Sequence, residues 1–283
     1  MSVRHSRKAQ KEDEGTSVKR THNLRDSGLQ LTRSWRGALP AGGRDALRQF
    51  FILLACYAAY DVARVVVRGR EAVAQANAQV IINAEKALHL YVEPFIQGKA
   101  SHVHALVVFM DWFYANVHIS ATLLVLVWIY LYRHETFGFF RNLFLTMNAL
   151  AMVAFAMLPV APPRLVPTSG VVDTLYLYST NNYHSGVMSF VTNQYAALPS
   201  LHIGYALFLS LAVWLLTTNR LARVLAAVYP VLVLAAIIIT GNHYVLDAAA
   251  GVVVLAIAFA LNYGFAPQSV PEAITVATRD RDA

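Results

Sequence analysis

The sequence predicts an all-α, polytopic membrane protein built as a six-helix transmembrane bundle. Three observations point there. Only 14% of the 283 residues are charged, against about 25% in an ordinary soluble domain. Mean hydropathy is positive, at +0.46. And six apolar runs, each near the roughly 20 residues needed to cross a bilayer as a helix, fall at 49–67, 112–132, 139–159, 200–217, 222–240 and 246–263.

Residues 1–45 precede the first run and are rich in Arg, Lys, Gly and Ser, which predicts a disordered tail. Of the 23 Lys and Arg in the chain, 11 lie in the first 48 residues, so the net charge of +7 is largely local. A basic tail ahead of a first span sets orientation or touches anionic lipid, which argues against nucleic acid as a partner. The tail is too long and too mixed for the n-region of a cleaved signal peptide, so 50–67 reads as a retained anchor. The single cysteine, Cys56, excludes an intramolecular disulfide. Within 72–100, the stretch 84–94 mixes charge with apolar residues at helical spacing and predicts an amphipathic helix lying on the interface and ending near Pro94. Residues 103–111 read as a short helix leading into the second span. The expected organisation is thus a tail (1–45), a membrane-embedded catalytic domain (46–265) and a C-terminal tail (266–283).

With a cytoplasmic N-terminus, the inner side receives Arg133, Arg141, Arg220, Arg223, Arg279 and Arg281 as well as the tail. This fits the positive-inside rule and makes both termini cytoplasmic in a multi-pass protein of the cell membrane. The outer side receives 68–111, 160–199 and 241–245, hence every motif considered next.

His243 and Asp247 stand four apart, the spacing that puts two side chains on one helical face. A carboxylate there accepts the imidazole Nδ1–H and leaves Nε2 free to attack; a helix cap would use the same pair. Pro199-Ser200-Leu201-His202-Ile203-Gly204 reads as a helix start. Its free N–H groups suit an anion, Ser200 adds a hydroxyl, Gly204 permits close approach, and His202 is placed to protonate a leaving oxygen. Alternatively Ser200 is an N-cap and His202 an interfacial residue. Arg164, after Pro162 and Pro163, offers a bidentate fork for phosphate or snorkels to headgroups. Asp111, Tyr114 and His118 share a helical face and either line a headgroup pocket or form a buried polar cluster. Tyr176, Tyr178, Tyr183 and Tyr195 read as an interfacial aromatic belt, with Gln194 and Tyr195 further candidates for the substrate pocket. Together these supply a nucleophile, an orienting acid, a proton donor and oxyanion donors, the set that phosphoryl transfer needs without a metal or other cofactor.

Ala197-Leu198-Pro199-Ser200-Leu201-His202 and Gly241-Asn242-His243-Tyr244-Val245-Leu246-Asp247 resemble the second and third signature motifs of the type-2 phosphatidic acid phosphatase superfamily. The Pro-Ser-Leu-His form, the His-Tyr-x-x-Asp form and the upstream Ala-Pro-Pro are similar to the inositol phosphorylceramide synthase branch. The resemblance covers roughly 80–265. It implies a six-helix core of the phosphatidic acid phosphatase/haloperoxidase type. His243 would be a nucleophile forming a phosphohistidine, Asp247 would orient it, and His202 would be general acid and then base. Ser200 and Arg164, with Gly204 and Asn242, would bind phosphate. Three positions depart from the phosphatase branch: Met157 stands where it has Lys, Leu165 where it has Pro after the Arg, and Ile237 where it has Arg. The thinner clamp favours transfer to an alcohol, or a different clamp from Asn193, Gln194 or Asn242. The expected partners are the bilayer, a lipid phosphate or phospholipid donor and a polyol acceptor. A lipid phosphate phosphatase using water is the alternative; a transporter or haem protein is more distant.

Overall fold

The computed structural model describes residues 39–67, 69–178 and 195–265. The helices are α1 (Gly42–Val67), α2 (Glu71–Ala87), α3 (Glu93–Ser101), α4 (His104–Tyr132), α5 (His134–Met157), α6 (Thr174–Tyr178), α7 (Leu201–Leu216), α8 (Arg220–Ile239) and α9 (Val245–Phe265), with a 3-10 turn at Pro163–Leu165. The sole β interaction among the described residues is an isolated parallel bridge between Val160 and Ala196.

Among the described residues four helices, α4, α5, α8 and α9, are long and apolar enough to cross a membrane, and α7 is a shorter apolar helix. Their outward faces carry large apolar side chains, such as Leu124 at 68% exposure and Val231 at 67%. Apolar side chains at that density on several long helices suit lipid rather than water. The protein is therefore an all-helical, multi-pass membrane protein.

The chain forms two units, one ending at Ile52 and one running from Leu53. In the first, α1 begins at Gly42, inside the stretch expected to be an irregular tail to residue 45; Asp45 sits in its first turn, where a negative charge suits the helix dipole. Gln49 Nε2 donates to Asp45 Oδ1 one turn earlier at 3.0 Å. The rest of both expected tails, 1–38 and 266–283, lies outside the described residues.

In the second unit, α7 packs against α4, α5, α8 and α9. The main core joins Val107, Met110 and Phe113 of α4, Ile203 and Ala206 of α7, Val233 and Ala236 to Ile239 of α8, and Ala248 of α9. A second core joins Ala74, Ala78 and Ile82 of α2 to Val160, Ala161, Val166, Ala197 and Tyr244.

Two expectations are corrected. Residues 103–111 are no separate helix, because α4 runs unbroken from His104. The amphipathic segment at 72–100 is two helices rather than one ending at Pro94. The first ends in a Schellman turn, with His89 left-handed at φ 57°, Leu90 N–H donating to Glu85 O at 2.7 Å and His89 N–H to Lys86 O at 3.2 Å. Pro94 then falls in the first turn of α3, where its missing N–H costs nothing. Nor does this segment merely lie on the surface: Glu85 and Glu93 are both 0% exposed. Its outer face does remain apolar, with Phe95 and Val80 exposed.

Candidate active site

His243 owes its place to how α8 ends. Gly241 adopts φ 67°; its N–H donates to Ile238 O at 3.0 Å, and Asn242 N–H donates to Ile237 O at 2.9 Å. This is a second Schellman turn. Only glycine fits there, since a Cβ at Gly241 would stand 2.6 Å from Val171 Cγ1 and 3.2 Å from Arg164 Cβ. The turn reverses the chain, so α9 starts two residues after His243. The histidine therefore precedes the helix rather than sharing its face with Asp247. Asp247, at the third helical position, reaches back to accept the Tyr244 N–H at 2.9 Å, half of a capping box.

The His243 ring has two distinct partners. Nδ1 lies 2.8 Å from Ala197 O and 3.4 Å from Asp247 Oδ2. A carbonyl only accepts, so Nδ1 carries the proton and Nε2 presents a lone pair. That lone pair faces Nδ1 of His202 at 3.1 Å, which makes His202 the donor. The two histidines, 41 residues apart in sequence, thus form one unit: a lone pair aimed at the position from which the other ring offers a proton. The orienting task expected of Asp247 alone is shared with a backbone carbonyl.

The two motifs are also stitched through the backbone. Ser200 N–H donates to Asp247 O at 2.9 Å. Gly251, one turn further along α9, faces Ser200 O so closely that a Cβ would overlap it. Ser200 caps α7 with its backbone only, and its Oγ, fully buried, has no partner among the described residues. A buried hydroxyl without a partner is costly unless something arrives to meet it. Gly204, placed at the phosphate on sequence grounds, donates its N–H to Ser200 O at 3.1 Å inside the helix. Its open side faces Met147, so it contributes close packing.

Arg164 approaches from the loop after α5. Its N–H donates to Gly241 O at 2.9 Å, Nε to Asn242 Oδ1 at 2.9 Å and Nη1 to Asp173 Oδ2 at 2.9 Å. Asn242 is committed on its other side as well, donating from Nδ2 to Thr240 Oγ1 at 2.8 Å. Its side-chain amide is thus shared between Arg164 and Thr240, and it holds the guanidinium in place. Tyr195 stands nearby, with its phenol pushed up by burial and by the Glu71 carboxylate, against a smaller opposing pull from Arg164.

Tyr114 stacks on His202 at 4.5 Å between ring centroids and 19° between planes. His118 lies 4.3 Å from the same ring, and its buried Nδ1 has no partner among the described residues. Both rings pack against His202. Asp111 does not join them, since its Oδ1 accepts from Thr174 Oγ1 at 2.7 Å. Gln194, Asn193 and Tyr183 lie outside the described residues. Two of the departures noted in the sequence are structurally plain: Ile237 is buried in the core and Met157 is 75% exposed, so neither reaches the site.

Several residues here escaped the sequence reading. Asp173 holds Arg164. Gln97 donates to Val172 O at 2.8 Å and Ile239 O at 2.9 Å and accepts from Val172 N–H at 2.7 Å, tying the Asp173 loop to the end of α8. Glu93 Oε1 accepts from Val245 N–H at 2.9 Å and Glu85 Oε1 from Leu246 N–H at 2.7 Å. The only advance signal for the two glutamates was a pair of acids eight residues apart, the second directly before Pro94.

A family model described as the PAP2 superfamily matches residues 79–261, a stretch that contains Arg164, Ser200, His202, His243 and Asp247. No curated protein and no solved structure matches the chain.

Proposed function

The chain belongs to the PAP2 superfamily, and on that premise we propose that it is a membrane phosphoryl-transfer enzyme working through a phosphohistidine on His243. One observation carries the reading: Nε2 of His243 faces Nδ1 of His202 at 3.1 Å while its own Nδ1–H is held by Ala197 O. A lipid-linked phosphate entering between the rings meets a lone pair on one side and a proton donor on the other.

In the first half-reaction His243 Nε2 attacks phosphorus in line. The bond from phosphorus to the leaving oxygen breaks, and His202 Nδ1 gives that oxygen its proton. Asp247 and Ala197 O hold the Nδ1–H as positive charge develops on the ring. In the second half an acceptor hydroxyl gives its proton to His202, and its oxygen displaces His243 from phosphorus. Ser200 Oγ and Arg164 stabilise charge on the phosphoryl oxygens. No step calls for a metal or other cofactor, since each charge that develops has a protein partner.

The acceptor is an alcohol in this reading, as in inositolphosphotransferases of the inositol phosphorylceramide synthase type, with phospholipid as donor. What supports this is the sparse clamp. With Ile237 in the core and Met157 turned away, Arg164 is the one cation at the site among the described residues that phosphate can use. We place six spans in the bilayer, counting α1 and α7 with the four longer helices, both termini in the cytoplasm and the site at the extracytoplasmic face. The positive-inside distribution supports that orientation.

The test is to incubate purified protein with phosphatidic acid and phosphatidylinositol, each radiolabelled at phosphorus, with and without a polyol acceptor. A new labelled phosphodiester from phosphatidylinositol, or a labelled polyol monophosphate from phosphatidic acid, absent with His243→Ala, is expected. Free phosphate from phosphatidic acid, or a labelled phosphomonoester from phosphatidylinositol, instead makes water the acceptor. Product formation by His243→Ala at the wild-type rate refutes the mechanism.

A further inference from the structure

The first turn of α9 holds an unusual arrangement. Three successive N–H groups, on Tyr244, Val245 and Leu246, are each taken by a carboxylate: Asp247 at 2.9 Å, Glu93 at 2.9 Å and Glu85 at 2.7 Å. The last two come from different helices, brought together by the Schellman turn of α2 and the proline start of α3. Both are fully buried. Their Oε1 atoms hold the N–H groups of adjacent residues, so the two carboxylates converge, yet Oε2 of each has no donor among the described residues. Two carboxylate oxygens in that position cannot satisfy each other unless a proton lies between them.

We propose that Glu85 and Glu93 are a proton-sharing positioning pair: holding one proton between them, they fix the start of α9 behind His243, and loss of that proton releases it. The inference rests on the reading of His243 as nucleophile. Neither glutamate touches the substrate; both act through the backbone of Val245 and Leu246, and so through the Tyr244–Asp247 segment that orients the imidazole.

The surroundings favour retention of the proton. The titratable groups facing the pair are Tyr91 in the turn after α2, with Lys86 over its ring at 5.2 Å, and Tyr244 and Asp247 from the catalytic segment. Burial first, and then the charges of Glu93 and Asp247, push Glu85 up to about 8 from an ordinary 4.5. Burial and Asp247 raise Glu93 too. Tyr91 is pushed up to about 12 by burial and by the two glutamates, so it stays neutral. The sign follows. A folded-state value above the ordinary one means that the pair's hold is complete below pH 4.5 and is lost as pH rises through about 8.

The test compares the full-length wild type with Glu85→Gln and Glu85→Ala in detergent from pH 5 to 9. The readouts are Tm, kcat and KM on phosphatidic acid or phosphatidylinositol, and the ¹⁵N ring signals of His243. Wild-type Tm and kcat should both fall as pH passes about 8, with KM nearly constant. Glu85→Ala should lose kcat about 100-fold, the scale of a misplaced reacting group. Glu85→Gln, a neutral isostere that can donate to Glu93, should recover most of that loss and flatten the alkaline fall in both Tm and kcat. An alkaline fall as steep in Glu85→Gln as in wild type, or a Glu85→Ala variant with undiminished kcat, overturns the proposal. If the wild type turns over neither lipid, the phosphoryl-transfer reading fails on its own. The pair then stands if the His243 signals move through the alkaline transition in wild type and not in Glu85→Gln, and falls if they move alike.

Discussion

Gly251 lies against the carbonyl of Ser200 with no room for a Cβ between them. That contact sets how near α9 comes to the head of α7, and hence how near Asp247 O comes to the Ser200 amide, 2.9 Å away. Replacing it tests whether the two motifs depend on this approach. Gly251→Ala should cost about 1–3 kcal/mol of stability, as overpacking does. Turnover should fall further than the unfolded fraction explains, because His202 is carried away from His243. Thermal unfolding and kcat in the same detergent check this; wild-type values for both would show that the helices can separate harmlessly.

The His243 ring is held twice over, and that alters the expected weight of Asp247. Ala197 O fixes the Nδ1–H tautomer at 2.8 Å whether or not the carboxylate is present. Asparagine retains an oxygen for the Tyr244 N–H. Asp247→Asn should therefore lose only about 10- to 100-fold in kcat, against the 10⁴-fold known where an Asn substitution imposes the wrong tautomer, while His243→Ala abolishes turnover. Equal, complete losses in the two variants would show that the carbonyl does not hold the tautomer.

Arg164 is fixed at Nε by Asn242 and at Nη1 by Asp173. A lysine offers a point charge and no fork. Arg164→Lys should raise KM and lower kcat/KM by about 10- to 100-fold, and Asp173→Asn should do so more weakly by loosening the guanidinium. Steady-state kinetics on the radiolabelled donor separate these outcomes. A KM untouched by Arg164→Lys removes Arg164 from the phosphate.

Gln97 makes three hydrogen bonds across two segments and is 3% exposed. Gln97→Leu leaves the Val172 N–H and two carbonyls without their partner, at about 1–3 kcal/mol for each group that stays buried and unsatisfied. A Tm several degrees lower is expected, with reduced turnover, because the loop bearing Asp173 and the turn bearing Gly241 share this support. An unchanged Tm would mean that water replaces the amide readily.

The apolar runs, the two histidine motifs and Arg164 were legible in the sequence because each rests on local signals: length of hydrophobicity, a proline at a helix start, a spacing of four. The loop at 241–245 and a span from 246 follow from the hydrophobic pattern, but a spacing of four does not show that the Schellman turn at Gly241 keeps His243 ahead of α9, which begins at Val245. Glu85 and Glu93 were hidden more deeply. Charged residues interleaved with apolar ones ordinarily face water, and only the tertiary approach of α2 and α3 to the start of α9 turns these two inward. Gly251 gave no signal either, since a glycine in an apolar helix is unremarkable until its neighbour is known.

The most direct measurement is a rapid acid-free quench of the wild-type protein with donor lipid radiolabelled at phosphorus, followed by peptide mapping. Covalent label on the peptide containing His243, stable to alkali, lost in mild acid and absent from His243→Ala, is the result this account predicts. Label at another residue, or turnover by His243→Ala without label, would contradict it.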